Sequence, residues 1–148
     1  MSGKGHFTLH VSDMAPAPVE PDAGWREMDI RFLVNRDNAN AREMCFWRTV
    51  FPPGGAHERH QHPNAAEVFY ILRGRGASGV DELEHEVGPG TVEYIAPGVV
   101  HWFRNVDPHE ELELVGCYAP GGSLEEAGYV FVGEIEERHR QVRPPKDG

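Results

Sequence analysis

The sequence predicts an all-β domain, either a sandwich or a closed barrel. Roughly seven to nine short runs with the alternation or composition of strands follow one another at about ten-residue spacing. The 17 glycines and 12 prolines fall largely between these runs. Many short strands with turn residues between them are typical of sandwiches and barrels. At 148 residues the chain has the length of one domain.

The first third of the chain is predicted to be an extended arm followed by two strands. Residues 1–5 are expected to be disordered, and residues 7–11 to form a short edge strand. The piece 14–24 contains Pro16, Pro18 and Pro21, which lack the N–H group that a helix or central strand needs. It is expected to run extended along the surface. Residues 28–34 and 43–51 have the pattern of strands, and the polar piece 35–40 is expected to be a turn.

The rest of the chain is predicted to be a succession of strands and tight turns. Strands are expected at residues 67–73, 83–87, 91–95, 101–105 and 112–118. The glycine-rich segment 74–80 leads to a hairpin tip at Asp81 and Glu82. Residues 134–142 are the one good helix candidate. The predicted organisation is an N-terminal arm over 1–24, a β-barrel over 25–133 and a C-terminal helix or tail over 134–148.

The charge of the chain argues against some partners. With 24 acidic and 14 basic residues the formal net charge is -10, whereas nucleic acids and anionic membranes bind positive patches. No run reaches the roughly 18 apolar residues that span a bilayer, and the N-terminus lacks the apolar core of a secretion signal. We therefore expect a cytoplasmic protein that binds neither nucleic acid nor membrane. Cys45 and Cys117 have no C-x-x-C spacing and are expected to be buried free thiols.

The stretch 54–74 has the pattern of a metal site. His60 and His62 are two positions apart, so that on an extended strand both imidazoles lie on the same face. The Pro-Asn pair that follows suits a turn, which can bring the carboxylate of Glu67 back beside them. Two imidazoles and a carboxylate suit a first-row divalent ion. A fourth candidate ligand, His101, follows a Pro-Gly turn signal at the start of the strand-like run 101–105.

These two stretches resemble the two sequence motifs of the cupin family. The first motif is matched at Gly54, His60, His62, Glu67 and Gly74. The second motif is matched at Gly90, Gly98, His101 and Asn105. One departure is visible, because the family usually has proline where this chain has Ala96, and the proline follows at position 97. The turn before His101 is therefore expected to differ slightly from the family pattern.

The resemblance implies a jelly-roll β-barrel that holds one metal ion inside. The implied ligands are His60, His62, Glu67 and His101, and the ion is one divalent first-row metal per chain: Fe, Mn, Ni, Co, Zn or Cu. Such a ligand set leaves coordination positions open for a small-molecule substrate or O2. Histidine must be neutral to bind metal, so metal occupancy is expected to fall below about pH 6. Cupins often dimerise, which implies a homodimer.

Strand alternation predicts the side chains around the metal. Those sharing a face with the ligands are Phe69, Ile71 and Arg73 beside Glu67, and Phe103 beside His101. On the strand 43–51 the inward set is either Trp47 and Thr49 or Phe46, Arg48 and Val50, and the pattern does not decide between them. An arginine at the edge of this apolar cup would suit a carboxylate-bearing substrate. The candidates are Arg48, Arg59 and Arg104, although an exposed position is the commoner fate of a strand arginine.

The other histidines are assigned no ligand role. His57, three residues before His60, is expected at the rim of the site or directly behind the ligands. The remaining five lie near chain ends, beside turns or in charged segments and are expected to be solvated: His6, His10, His85, His109 and His139. Asn105 is expected in a turn or behind the ligands, because it lies four residues beyond His101.

Three functions remain open from the sequence. The complete ligand set resembles those of cupin oxygenases, so the preferred hypothesis is a dioxygenase acting on a small organic metabolite. The alternative is non-redox chemistry at the same centre, namely decarboxylation, isomerisation, lyase chemistry or polyketide cyclisation. In the third hypothesis the protein binds a small molecule without turnover and the metal only stabilises the barrel.

Overall fold

The computed structural model describes residues 5–143, which form two antiparallel sheets. The eleven strands within this range are β1 (Trp25–Arg26), β2 (Asp29–Val34), β3 (Cys45–Phe51), β4 (Ala56–Gln61), β5 (Ala66–Arg73), β6 (Gly76–Val80), β7 (Leu83–Val87), β8 (Val92–Ile95), β9 (His101–Asn105), β10 (Leu112–Ala119) and β11 (Val130–Gly133). Two four-residue helices, α1 (Arg36–Ala39) and α2 (Leu124–Ala127), lie in connections. The all-β prediction is confirmed.

The strand order is that of a jelly roll. The six-stranded sheet has the order β1-β4-β9-β6-β7, with β11 also paired to β4, and the five-stranded sheet has the order β2-β3-β10-β5-β8. Neighbours such as β4 and β9, or β3 and β10, are far apart in sequence, as expected where the chain crosses repeatedly between two sheets. The crossings place the motif strands β4 and β9 side by side, facing β5 of the other sheet.

The core lies between the two sheets and follows the two-residue period of the strands. Along β10 buried and partly exposed residues alternate over all eight positions, so that Leu112, Leu114 and Tyr118 point inward. On β6, Gly79 allows the ring of Trp102 to cross the strand, since a Cβ atom there would lie 1.8 Å from that ring. The missing side chain at Gly79 therefore lets Trp102 pack on the neighbouring strand of its own sheet.

Both ends of the described chain cover the barrel. The N-terminal arm contains two 3-10 helices, Val11–Asp13 and Pro21–Ala23, and is attached by a 2.8 Å hydrogen bond from the N–H of Ala17 to the carbonyl of Ile30. The C-terminal segment crosses the outside of the six-stranded sheet, where Ile135 packs with Ala56 and Trp102 in a small second core. No helix within residues 5–143 is long and apolar enough to cross a membrane.

Three local predictions are wrong: an edge strand, a turn and a C-terminal helix. Residues 7–10 have no regular structure, and the 3-10 helix Val11–Asp13 follows them, so the edge strand expected at 7–11 is not formed. The expected turn at 35–40 contains α1, because the Asn35 side chain accepts hydrogen bonds from the N–H groups of Asp37 and Asn38 and caps a helical turn. The expectations for residues 1–4 and 144–148 lie outside the described residues.

The helix expected at 134–142 is replaced by a short 3-10 helix, Glu137–His139. Tertiary hydrogen bonds hold the backbone on both sides of it: the N–H of Ile135 donates to the Glu58 carboxylate, and Arg143 exchanges backbone hydrogen bonds with Glu84 and Glu86 of β7. These contacts override the helix propensity of a charged segment. The short strands β1 and β11 and the helix α2 were not predicted.

Both cysteines are free thiols, as predicted. Cys45 is fully buried on the inner face of β3, whereas Cys117 on β10 is partly exposed. Burial raises the pKa of the Cys45 thiol to about 12. The two side chains are therefore in different environments, and Cys45 stays protonated over the physiological pH range.

Candidate metal centre

Strand β4 and its continuation carry two of the four predicted ligands. His60 lies on β4 and His62 directly follows it, and their side chains are 1% and 2% exposed. Both imidazoles face the interior of the barrel, as their two-residue spacing requires on an extended chain. A register shift between His57 and His60 in the pairing of β4 with β9 marks a β-bulge.

The other two predicted ligands come from the neighbouring strand β9 and from β5 in the facing sheet. His101 begins β9 and is directly opposite His60 in the β4–β9 pairing, while Glu67 lies on β5 in the facing sheet. One ligand atom from each of these four side chains lies within 4.8 Å of all the others. The barrel thus brings together three imidazoles and one carboxylate from two separate stretches of sequence.

Backbone carbonyls fix the tautomer of all three imidazoles. The Nδ1 atom of His60 bonds to the Glu58 carbonyl at 2.6 Å, that of His62 to the Gly128 carbonyl at 2.7 Å, and that of His101 to the Val99 carbonyl at 2.9 Å. A carbonyl oxygen only accepts, so in each neutral ring the proton is on Nδ1. The Nε2 atoms therefore carry lone pairs, and such outer hydrogen bonds are typical of histidines that bind metal.

The donor atoms that converge in the centre are buried and lack hydrogen-bond partners. They are Nε2 of His60, Nε2 of His62, Nε2 of His101 and Oε2 of Glu67. Buried acceptors without a donor are costly, about 1–3 kcal/mol each. The Nε2 atom of His101 lies 2.7 Å from Oε2 of Glu67, a contact that either a proton on His101 or a metal ion between the two atoms makes favourable. A divalent ion would satisfy all four atoms at once.

The electrostatics of the site keep two imidazoles neutral. Burial, reinforced by the neighbouring imidazoles, holds the pKa of His60 well below its ordinary value, and burial also lowers the pKa of His62. Burial opposes charge on His101 as well, but the adjacent Glu67 carboxylate raises the pKa of His101. Conversely, His101 lowers the pKa of Glu67 against the effect of burial. Neutral His60 and His62 and an ionised Glu67 are the forms that bind metal.

The sequence comparisons identify the family. A family model described as the cupin domain matches residues 47–118. An uncharacterised protein from Methanocaldococcus jannaschii is 32% identical over 97 residues, which is 66% of this chain and 77% of that protein. The chain belongs to the cupin family. This assignment confirms the resemblance of the two motif stretches, which both lie within the matched range.

Two other curated proteins are more distant relatives of this cupin. The dimethylsulfoniopropionate lyase DddW of Ruegeria pomeroyi is 30% identical over 95 residues, 62% of this chain and 61% of the lyase. The oxalate-binding protein of Thermotoga maritima is 23% identical over 100 residues, 67% of this chain and 83% of that protein. The relatives thus differ in what their names say they do.

Solved structures agree on the fold. A cupin-like protein from Thermotoga maritima is 25% identical and superposes with a TM-score of 0.62, covering 74% of this chain and 79% of its own. The polyketide cyclase RemF from Streptomyces resistomycificus is 23% identical with a TM-score of 0.67, covering 77% and 79%. At these identities the likeness supports the jelly-roll architecture of this cupin.

A small cavity of about 30 Å³ adjoins three of the four candidate ligands, His60, Glu67 and His101. Three of the predicted pocket residues line it, namely His57, Phe69 and Phe103. On β3 the inward set is Trp47 and Thr49, which settles the alternative left open by the sequence. The other lining residues are Met28, Ile30, Phe51, Trp102, Leu114 and Tyr118. The cavity wall is therefore mostly apolar and aromatic.

Two predicted pocket residues lie elsewhere. Arg48 is on the opposite face of β3, where its guanidinium pairs with Glu113 of β10, and Ile71 is a fully buried core residue outside the cavity wall. Arg48 was one of two open possibilities because alternation alone cannot say which face of a strand is inside. Among the described residues that line the cavity, none is an arginine or a lysine.

His57 lies directly beside the ligands, which is one of the two positions that its spacing allowed. The β-bulge in β4 turns it to the same side as His60, and the two rings stack with centroids 3.6 Å apart. Its Nε2 atom is 3.1 Å from the hydroxyl of Tyr129, which donates to the Ala23 carbonyl. Since that hydroxyl proton is already used, His57 donates from Nε2, and burial holds its pKa well below the ordinary value. Tyr129 carries no sequence signal for this role.

One further histidine differs from expectation. His139 is fully buried rather than solvated, with its ring 5.2 Å from that of Trp102 on the outside of the six-stranded sheet. Asn105 lies at the far end of β9 from His101, where its amide donates to the carbonyls of Phe51 and Glu110. It is a residue that organises a loop.

Proposed function

We propose that this cupin is a metal-dependent enzyme that acts on a small organic metabolite, with His60, His62, Glu67 and His101 as the ligands of one first-row divalent ion. The observation that carries the proposal is the convergence of four buried donor atoms without hydrogen-bond partners beside a small, mostly apolar cavity. A purely structural centre would need no such cavity. Three nitrogens and one oxygen suit Fe, Mn, Co, Ni, Zn or Cu.

The bound ion would act as a Lewis acid or, for a redox-active metal, as a centre open to O2. The chain itself provides three things. The backbone carbonyls behind His60, His62 and His101 orient the Nε2 lone pairs. The aromatic wall formed by Trp47, Phe69 and other side chains excludes water. His57 donates to Tyr129 from Nε2 and is held neutral beside the ligands, so Nδ1 is the ring atom that would accept a proton.

The first reaction that we propose for this centre is dioxygenation. O2 is small and apolar, and a cavity of about 30 Å³ with an apolar wall is suited to retain it while it excludes polar solvent. The absence of arginine and lysine from the described cavity wall argues that the substrate is held by the metal and by apolar contacts rather than by a carboxylate clamp. A compact phenol, enol or thiol fits this description better than a dicarboxylate.

The second candidate is non-redox lyase or decarboxylase chemistry. Two observations favour it: DddW, a lyase by name, is 30% identical to this chain, and His57 is a buried neutral imidazole beside the ligands, with its lone pair on Nδ1. Proton abstraction by such a base is what elimination or enolisation requires. A binding function without turnover is the third candidate, and the name of the oxalate-binding relative supports it.

Turnover with and without O2 separates these candidates. The protein would be stripped of metal, loaded with Fe(II), Mn(II), Co(II), Ni(II), Zn(II) or Cu(II), and offered phenols, enols, thiols and short carboxylic acids. A dioxygenase consumes O2 in step with substrate and is inactive in its absence, whereas a lyase or decarboxylase turns over under nitrogen. Turnover that needs no metal would contradict the proposal, and saturable binding without turnover would support the third candidate.

A further inference from the structure

The cavity beside the metal centre is too small for the substrate that the proposed function requires. It measures about 30 Å³, and roughly 10–15 Å³ is needed for each enclosed water. Small-molecule sites in proteins usually measure about 300–1,000 Å³. An organic metabolite can therefore reach the ligands only if a side chain of the cavity wall moves.

Met28 forms the mouth of the cavity. Among the described residues that line it, Met28 is the one that is not buried, whereas neighbours such as Ile30 and Thr49 are 2% and 1% exposed. Its partial exposure places Met28 between the cavity and the solvent.

Met28 also forms part of an outside groove. This groove measures about 850 Å³ and its wall includes Pro16, Pro53 and Arg73. The same methionine thus separates a groove that is large enough for a metabolite from a cavity that is not. The groove is lined by charges of both signs, with Glu27, Asp29 and Glu111 against Arg48 and Arg73. The groove therefore does not select for anions.

The local structure allows this side chain to move while its backbone stays in place. Met28 lies between β1 and β2 and belongs to neither strand. The preceding residue, Glu27, has a left-handed φ of 49°. The Glu27 carbonyl oxygen packs closely on Gly55, where an added Cβ atom would lie 2.8 Å from that oxygen. Methionine is unbranched, with three rotatable side-chain bonds, and adapts readily to a passing ligand.

We propose that Met28 gates the route from the outside groove to the metal centre and limits the size of the ligand that passes. The inference rests on the proposed function, because the gate matters only if the four candidate ligands hold a metal. Rotation of the thioether away from Ile30 would join the groove to the cavity. Selection would then depend on the size of the ligand rather than on its charge.

The rate at which small ligands reach bound cobalt tests the gate without any knowledge of the substrate. Co(II)-loaded protein would be mixed with azide or with imidazole, and the change in the cobalt absorption spectrum followed by stopped flow. We expect Met28→Ala to speed imidazole association about tenfold, which corresponds to a barrier lower by about 1.4 kcal/mol. Met28→Phe should slow it by a similar factor, and both changes should be smaller for azide.

Met44→Ala is the matched control, because Met44 is also partly buried but lines neither the cavity nor the groove. Its association rates should stay within about twofold of the wild type. Equal rates in Met28→Ala, Met28→Phe and wild type, with cobalt bound at one equivalent in each, would overturn the gate and leave the metal centre intact. Failure of the wild type to bind cobalt would overturn the metal centre and the gate with it.

Discussion

Replacement of His62 by alanine should remove the metal and leave the barrel folded. His62 contributes one of four converging donor atoms, and its own support is a single hydrogen bond from Nδ1 to the Gly128 carbonyl. Loss of the ring leaves that carbonyl without its donor, which costs about 1–3 kcal/mol. A chain of this size loses about 2–4 °C in Tm for each kcal/mol. The metal-free variant should therefore melt roughly 2–12 °C below metal-free wild type.

The larger effect is on the stabilisation by metal. An ion present at a hundred times its Kd stabilises the folded state by about 2.7 kcal/mol, or roughly 5–11 °C. Removal of outer hydrogen-bond partners already weakens metal binding about 10–100-fold, so loss of a ligand should cost at least about 100-fold. The same ion concentration would then equal the Kd and stabilise by only about 0.4 kcal/mol. The thermal shift should shrink to about 1–2 °C.

Thermal unfolding with and without Co(II) or Zn(II), combined with metal analysis, measures both quantities. His57→Ala is the matched control, because His57 stacks on His60 but is not among the four converging residues. That variant should keep about one equivalent of metal and the full thermal shift. If His62→Ala bound one equivalent with an undiminished shift, the ligand assignment would be wrong.

Three further predictions concern the rest of the molecule. Gly79→Ala would place a Cβ atom 1.8 Å from the buried Trp102 ring and should lower the unfolding free energy by about 3 kcal/mol in urea titrations. The control Gly88→Ala should leave the unfolding free energy nearly unchanged, because the atom nearest to its added Cβ is 4.0 Å away. Because burial raises the pKa of Cys45 to about 12, its stabilising contribution is complete below the unfolded pKa of about 8.5 and is lost as pH rises towards 12. Urea titrations should show stability falling by about 1 kcal/mol per pH unit above pH 9, and Cys45→Ala should flatten this slope. Finally, the expected homodimer should use the outer face of β5 and β8, where the side chains of Val68, Tyr70, Val92 and Tyr94 are exposed and paired across the strands. Light scattering should find the Tyr94→Arg variant monomeric and the control variant Leu83→Arg, at an exposed hairpin, dimeric. A dimeric Tyr94→Arg variant would place the interface elsewhere.

The convergence of the candidate ligands could be predicted because strand geometry dictates much of it. His60 and His62 must share a face if the chain is extended, and a turn after them must return Glu67 to the same region. His101 is different, since nothing local says that β9 pairs with β4. Its place in the centre followed from the resemblance to the second cupin motif.

Features that depend on tertiary contacts could not be predicted. The inward turn of His57 is caused by a β-bulge, which inserts a residue without a marked change in composition. The segment 134–142 has helical composition, but hydrogen bonds with Glu58 and with β7 decide its conformation. Burial of His139 follows from the same docking. Alternation likewise could not choose between the two faces of β3, because both carry large apolar residues.

Glu58 connects the outside of the barrel with its interior. Its carboxylate accepts hydrogen bonds from the Arg26 guanidinium and from the N–H of Ile135 on the outer surface. Its backbone carbonyl fixes the ring of His60 inside the barrel. Ile135, 75 positions beyond His60, therefore braces that ligand through Glu58. Truncation before Ile135, or a bulky C-terminal fusion that displaces it, should weaken metal affinity although every candidate ligand is still present.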